Sequence, residues 1–307
     1  MGTLKLSQVV VAGGTGLVGR ALVRALLDQG SPVTVLTRKA QPSNLNLPAG
    51  ATAHDWSDLP AVLEGVDAVF NLAGEGIADR RWSTARKAAI LDSRVQSTAR
   101  LVAAMRTCAK PPAALVNASA VGFYGSRDQT PIDEAADSGL GFLSEVCRAW
   151  EREALAAAPM GIRVARIRIG VVLAREGGAL RKMALPVKAY AGCKLGSGRQ
   201  GLSWIHVDDL VAMLLEAARN PAWEGPFNAT APAPLSNEAF TRLLAQRLHR
   251  PLLPVPGFLT TAALKVLLGE MAEALLLQGA LVIPARAQAL GFRFRFPTAA
   301  SALEDLL

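Results

Sequence analysis

Apolar residues recur along this chain in two rhythms. Residues 7–12 (SQVVVA) are a short β-branched run of the kind that fills a strand buried on both faces. A glycine-rich turn, GGTGLVG, follows at 13–19. RALVRALLDQG (20–30) then places its apolar residues at helical spacing and ends on Gly30, a residue suited to a helix C-terminus. PVTVLTR (32–38) returns to strand character. Strand, loop, helix and strand within about 30 residues is the size of a βαβ unit. The alternation continues with strands at 51–56, 66–74, 112–120 and 162–173 and helices at 59–65, 83–107 and 142–158. This pattern predicts an α/β fold, a doubly wound parallel sheet of the Rossmann type.

The texture changes after residue 173. Residues 174–201 are rich in Gly, Lys and Arg and predict a loop with one short helix, and 203–220 predicts a strand-like entry to a helix. Prolines at 221, 226, 232, 234, 251, 254 and 256 punctuate the final third, which holds two or three further helices. The expected organisation is a dinucleotide-binding domain over 1–173, with 202–220 returning to it. Residues 174–201 and 221–307 would form a smaller α-rich C-terminal substrate lobe.

Composition changes this picture little. The 307 residues are 51% hydrophobic and 19% charged, enough for a sizeable core. The net charge is +8, but the basic residues are dispersed and aromatics are only 5%. A nucleic-acid partner is therefore not expected. Cys108, Cys147 and Cys193 are odd in number and form no Cys-x-x-Cys, which fits a reducing cytoplasm and predicts neither a disulfide framework nor a zinc site. The N-terminal apolar run enters a glycine loop and lacks a signal-peptide layout. The apolar stretch 258–283 is broken by Lys265, Glu270 and Glu273, so no membrane span is expected. The expected partner is a small molecule, with the chain as monomer or homodimer.

The glycine turn carries the first chemistry. Gly13, Gly16 and Gly19 are spaced three apart, with Gly14 between. The early glycines permit a tight turn and close approach of backbone N–H groups to a pyrophosphate, and Gly19 permits close helix–strand packing. Arg38 ends the second strand, 19 residues past Gly19, and Lys39 follows it. An acidic residue near that place would bind the ribose 2′-hydroxyl of NAD, whereas a guanidinium can fork onto a 2′-phosphate. The expected cofactor is NADP(H).

Several longer motifs carry a resemblance. GGTGLVG, NLAG (71–74), NASAVGFYG (117–125) and WIHVDDL (204–210) resemble the extended branch of the short-chain dehydrogenase/reductase superfamily, which includes sugar-nucleotide epimerases and dehydratases. EGIADRRW (75–82), KAAILDSRVQST (87–98), FNATAP (227–232) and GFRFRFP (291–297) look like an atypical family within it, labelled NAD-dependent epimerase/dehydratase or nucleoside-diphosphate-sugar epimerase. The resemblance implies a phosphate loop of Gly13, Gly14, Thr15, Gly16, Leu17 and Val18, with Arg38 at the 2′-phosphate. It implies that Asp55 and Trp56 flank the adenine and that Leu72, Ala73 and Gly74 line the cofactor near its ribose. Ser119 stands at the substrate-orienting serine, and Arg168 to Gly170 would end a strand beside the nicotinamide.

The resemblance also exposes a break. The superfamily uses a Tyr-x-x-x-Lys pair on the helix after the serine strand, the lysine lowering the tyrosine pKa. Counted from Ser119, the pair falls on Leu143 and Cys147, and leucine has no proton to transfer. Tyr190 opens a Tyr-x-x-x-Lys match (190–194) but lies 71 residues past Ser119, outside the required context. Tyr124 could be an acid/base or pack at the pocket rim. Cys147 could transfer protons if its pKa were lowered, or be a small apolar residue on a buried face. Arg94 could bind a substrate anion or brace a strand end. Glu75, Trp82 and Lys87 follow the fourth strand, over the edge where ligands sit, and Glu75 with Lys87 could be an acid/base pair or an ordinary ion pair. Gln200 and Trp204 are expected to face the substrate. His206 is expected in a structural polar cluster with Asp208 and Asp209, and no metal site is predicted. Two functions remain open: an oxidoreductase or epimerase-like enzyme on a small polar, possibly sugar-nucleotide, substrate, and a non-catalytic NADP(H)-binding sensor or scaffold.

Overall fold

The computed structural model describes residues 6–38 and 47–307. The first half runs β1 (Val9–Ala12), α1 (Leu17–Asp28), β2 (Val33–Leu36), β3 (Thr52–His54), α2 (Leu59–Leu63), β4 (Ala68–Asn71), α3 (Thr84–Met105), β5 (Ala114–Ala120), α4 (Phe142–Leu155) and β6 (Arg163–Ile169). The second half runs β7 (Val171–Leu173), α5 (Gly178–Lys188), β8 (Gly201–Leu202), β9 (Trp204–His206), α6 (Val207–Arg219), β10 (Gly225–Ala229), β11 (Leu235–Ser236), α7 (Asn237–Arg247), α8 (Gly257–Leu268), α9 (Glu270–Ala272), α10 (Ala285–Ala289) and α11 (Ala299–Leu306).

Among the described residues, seven strands form one sheet in the order β10-β6-β5-β4-β1-β2-β3. Every pairing in it is parallel. Consecutive side chains of a strand face opposite sides, so the apolar run of β1 feeds two cores at once. Val9 and Val11 join Phe70, Val116 and Ile167 under α1 and α6. Val10 and Ala12 join Val69, Leu115 and Val164 under α2, α3 and α4. The chain leaves β1 toward β2 on one side and returns to β4 on the other. That reversal opens a crevice at the carboxyl ends of β1 and β4, where open α/β sheets bind ligands.

A third core holds the C-terminal part together. Trp204, Phe240, Leu244, Phe296 and Leu303 pack with Leu180 of α5. His206 helps seal it: its Nδ1 accepts from the Asp208 N–H at the start of α6, and its ring stacks on Phe296 at 3.8 Å. Asp209 accepts from the Arg295 and Phe296 N–H groups.

Two expected boundaries are corrected. The strand expected over 162–173 is two strands, because Gly170 passes against the Ser203 carbonyl and a Cβ there would lie 2.7 Å from that oxygen. The chain turns out of the main sheet at this point, and β7 pairs with β9 in a separate parallel pair, Val171 opposite Trp204. Residues 225–229, expected in the lobe, are the edge strand β10 of the main sheet, with Phe227 opposite Ile167. Proline at 226 suits such an edge, and it hid the strand from the hydrophobic pattern.

Candidate functional site

The crevice is built first by what its residues lack. Gly13 has φ +82°, a region L side chains rarely adopt, and its missing Cβ would lie 2.6 Å from the Leu72 carbonyl oxygen. A Cβ on Gly19 would strike the Gly13 carbonyl. The turn between β1 and α1 therefore closes only with glycine at both places, and the Gly16 N–H donates to the Gly13 carbonyl at 3.1 Å. Gly16 caps α1 without a side-chain hydrogen bond, and no acidic residue stands in the first turn. The free N–H groups and helix dipole there suit a phosphate. The Thr15 carbonyl accepts from the Arg20 guanidinium at 2.6 Å. Val18 packs on the core beneath, and Leu17 touches the lobe, since a Cβ on Gly178 would lie 2.8 Å from its side chain.

Arg38 stands at the end of β2 with its side chain 87% exposed, donating to Glu75 across the crevice at 3.2 Å. Lys39 lies outside the described residues. Asp55 follows β3 and accepts from the Ser57 N–H and hydroxyl, and those bonds hold its carboxyl below the usual range. Trp56 packs on the core, with the Arg100 guanidinium 5.3 Å over its ring. Leu72, Ala73 and Gly74 leave β4 against the glycine turn, Gly74 facing Arg94 so closely that a Cβ would lie 2.9 Å from the guanidinium carbon.

The expected Glu75–Lys87 pair does not form. Arg86 donates to Glu75 at 3.1 Å, and this bond, joined by Arg38, holds Glu75 below the usual carboxylate range. Lys87 instead donates to Glu270 at 2.9 Å and lies 5.2 Å from the Phe142 ring. Trp82 meets the same ring edge-on at 5.1 Å. Trp82, Phe142 and Lys87 thus gather where α4 begins, one residue before Leu143.

At the carboxyl end of β5 the side chains are buried and charged. Ser119 and Arg168 are opposite in register on β5 and β6, and their face of the sheet receives α4. The Ser119 hydroxyl donates to Glu151 at 2.8 Å. Arg168 donates to Glu151 through Nε at 2.8 Å and Nη2 at 3.0 Å, and Arg166 adds a bond at 3.1 Å. Glu151 is 3% exposed, so the paired guanidiniums stand in for the water it has lost. Arg168 also donates to the Tyr124 hydroxyl at 2.9 Å and stacks on Phe123 at 3.5 Å.

This arrangement sets the surroundings of four expected site residues. Glu151, Tyr124 and Phe123 enclose the Arg168 guanidinium, which braces the core. Tyr124 is fully buried and its hydroxyl donates to Asn228 at 2.7 Å, while burial pushes its pKa up, away from acid/base work near neutrality. Gly170 serves the strand break against Ser203. Trp204 is fully buried in the third core, with its indole N–H on the Ala233 carbonyl at 3.2 Å.

Cys147 lies beside Ser119. Burial, then the charge of Glu151, pushes its thiol up to about 11, with smaller opposing contributions from the Ala120 backbone, Ser119 and Arg94. Roughly one thiol in 10⁴ is ionised at pH 7 on that value, so Cys147 is a neutral group. Burial lowers the pKa of Arg94, which donates to the Ile90 carbonyl at 2.9 Å and lies 5.1 Å over the Trp150 ring. Gln200 donates to the Leu195 and Leu276 carbonyls at 2.9 and 2.8 Å, joining two lobe segments. Tyr190 is half exposed beyond α5, packed by Arg250, away from this sector. No cluster of three or more His, Cys, Asp or Glu suited to a metal occurs among the described residues. No described helix is long and apolar enough to cross a membrane.

Glu151 escaped the sequence reading although a signal was there. It lies four residues after Cys147 on the buried face of α4, while Arg166 and Arg168 alternate onto one face of β6. A glutamate on an inward face opposite two inward arginines marks a buried pair.

A Rossmann sheet with this glycine turn defines a nucleotide-binding class of protein, and comparison with known proteins narrows it. The chain belongs to the NAD dependent epimerase/dehydratase family, whose profile matches residues 9–229. A domain of unknown function (DUF1731) matches residues 259–306. A chloroplastic homolog of epimerase family protein SDR39U1 from Arabidopsis thaliana is 42% identical over 306 residues, covering 97% of this chain and 86% of the relative. An epimerase family protein of Mycobacterium bovis is 39% identical, covering 96% of each chain. The crystal structure of human epimerase family protein SDR39U1 (isoform 2) with NADPH superposes with a TM-score of 0.87 at 33% identity, covering 97% of this chain and 98% of that one.

Proposed function

We propose that this protein is an NADP(H)-binding, epimerase-like oxidoreductase that acts on a small polar, sugar-like substrate held between the sheet edge and the C-terminal lobe. The observation that carries the reading is the side-chain-free cradle of Gly13, Gly16 and Gly19 with the exposed Arg38 guanidinium beside it. The cradle's N–H groups would hold the pyrophosphate and Arg38 the 2′-phosphate. The NADPH found with the human relative supports the same choice of cofactor.

Bound there, the nicotinamide would supply hydride exchange with a carbon of the substrate. The chain's own contribution is orientation. Ser119 offers a hydroxyl fixed by Glu151, Arg94 and Cys147 bound the site beside it, and Trp82, Phe142 and Lys87 close the outer side. Leu143 provides no proton, and the neutral Cys147 holds its own. Proton movement would therefore fall to the substrate and water, and turnover would be slow compared with a tyrosine-bearing relative.

A second reading is favoured by that same deficit: an NADP(H)-binding sensor without turnover. NADPH consumption against a panel of carbonyls and sugar nucleotides separates the two. Turnover that disappears in Ser119→Ala supports the enzyme. Tight NADPH binding with no turnover across the panel supports the sensor. Equal affinity for NADH and NADPH in a fluorescence titration would remove the cofactor assignment from both.

A further inference from the structure

We infer that Glu151 sets the hydrogen-bonding polarity of Ser119, so that the site takes a ring hydroxyl that donates to Ser119 and disfavours a carbonyl at that place. This deepens the proposed function, since it rests on Ser119 facing the bound substrate.

A serine hydroxyl has one hydrogen and two lone pairs. Ser119 spends its hydrogen on Glu151 Oε1 at 2.8 Å. That carboxylate cannot return a hydrogen, because it is an ion-paired acceptor. Its Oε1 also takes Arg168 Nε at 2.8 Å, and its Oε2 takes Arg168 Nη2 at 3.0 Å and Arg166 Nη1 at 3.1 Å. Four donors fill the four lone-pair positions of a carboxylate. Burial of both partners, each 3% exposed, keeps water from competing for the bond. The neighbours leave the hydrogen where it is: the Cys147 sulfur lies within reach of the Ser119 hydroxyl but is a far weaker acceptor than a carboxylate, and Leu143 is apolar. A ligand that reaches Ser119 therefore meets only lone pairs. A ligand hydroxyl can donate to them. A carbonyl oxygen would meet another acceptor and lose its own bonds to water.

Glu151→Gln should reverse this. At the Oε2 position an amide nitrogen would face two guanidinium donors and at Oε1 only one, Arg168 Nε, so it takes the Oε1 position and donates to Ser119. The serine hydrogen is then free to turn outward. Glu151 acts here as a positioning residue, and a purely structural role would not invert a preference between ligands.

The test has two readouts. Neutron diffraction from crystals of the wild-type protein, free of cofactor and with NADPH, should show the Ser119 deuterium directed at Glu151. A deuterium turned outward, or one on Glu151, would overturn the inference even if Glu151→Gln failed to fold. The second readout is calorimetric binding of myo-inositol and of its 2-keto derivative in the presence of NADP⁺. The polyol should bind wild type about tenfold more tightly than the ketone, and Glu151→Gln should level or reverse that ratio. A wild-type preference for the ketone, equal binding, or binding of neither overturns the assignment. Failure of NADPH to bind wild type sinks the underlying functional reading separately, because the cofactor-free neutron map still locates the hydrogen.

Discussion

The glycine turn and the Ser119 sector belong to one sheet, on β1 and β5 with β4 between them, and are made by opposite means. The turn works by omission, because its backbone can approach Leu72 and a phosphate only where side chains are missing. The Ser119 sector works by filling: a buried carboxylate takes hydrogen bonds from a hydroxyl and two guanidiniums, and one of these also bonds a phenol. In the first region a substitution should cost ligand affinity, and in the second it should cost the fold. Cofactor binding and any catalysis in this protein are therefore separable properties with separate physical bases.

The sharpest break of that contrast is Glu151→Leu. It strands the guanidiniums of Arg166 and Arg168 in the core and should lower unfolding free energy by about 3–5 kcal/mol, measured by urea denaturation. An undiminished stability would mean that the pair is not the brace of this sector. Next comes Gly13→Val, which combines a disfavoured φ with a collision at Leu72. NADPH affinity should fall about 100-fold or more, with a smaller loss in denaturation midpoint than Glu151→Leu.

Cys147 gives a pH signature confined to the filled region. Its folded value of about 11 stands above an ordinary thiol value of 9.0. Its contribution to stability is thus fully present below pH 9 and is lost as pH rises through 11, roughly 2–3 kcal/mol in all. Cys147→Ala should flatten that stretch of the stability–pH curve and leave NADPH affinity unchanged. Arg38→Ala tests the open region: NADPH affinity should fall roughly 10- to 100-fold with NADH affinity unmoved, read by fluorescence titration. The smallest effect is expected for Lys87→Ala. Its pairing with Glu270 is exposed, and its loss should change stability by less than about 1 kcal/mol.

The two regions also differed in how far the sequence disclosed them. The strand–turn–helix–strand of residues 7–38 was legible because glycine spacing and hydrophobic period are local properties. The break at Gly170 was not, since it depends on the Ser203 carbonyl 33 residues further on. β10 was hidden by Pro226, which an edge strand tolerates. Arg168 near the end of β6 and Tyr124 in the turn after β5 were singled out through the family resemblance, and their side chains turn inward to partners set by register across β5, β6 and β10. The missing tyrosine, in contrast, could be read at Leu143 by counting from Ser119.

The four bonds received by Glu151 also bear on how this chain can change over generations. No single replacement at that position is neutral, because aspartate falls short of the guanidiniums and glutamine brings a donor among donors. Replacing Arg168 alone leaves both the carboxylate and Tyr124 short of a partner. An apolar core here can be reached only by several substitutions made together. The arrangement would thus persist under selection for folding alone, whether or not the site ever turns over a substrate. Retention of Ser119 and its partners in a descendant of this protein would record the arithmetic of lone pairs before it recorded catalysis.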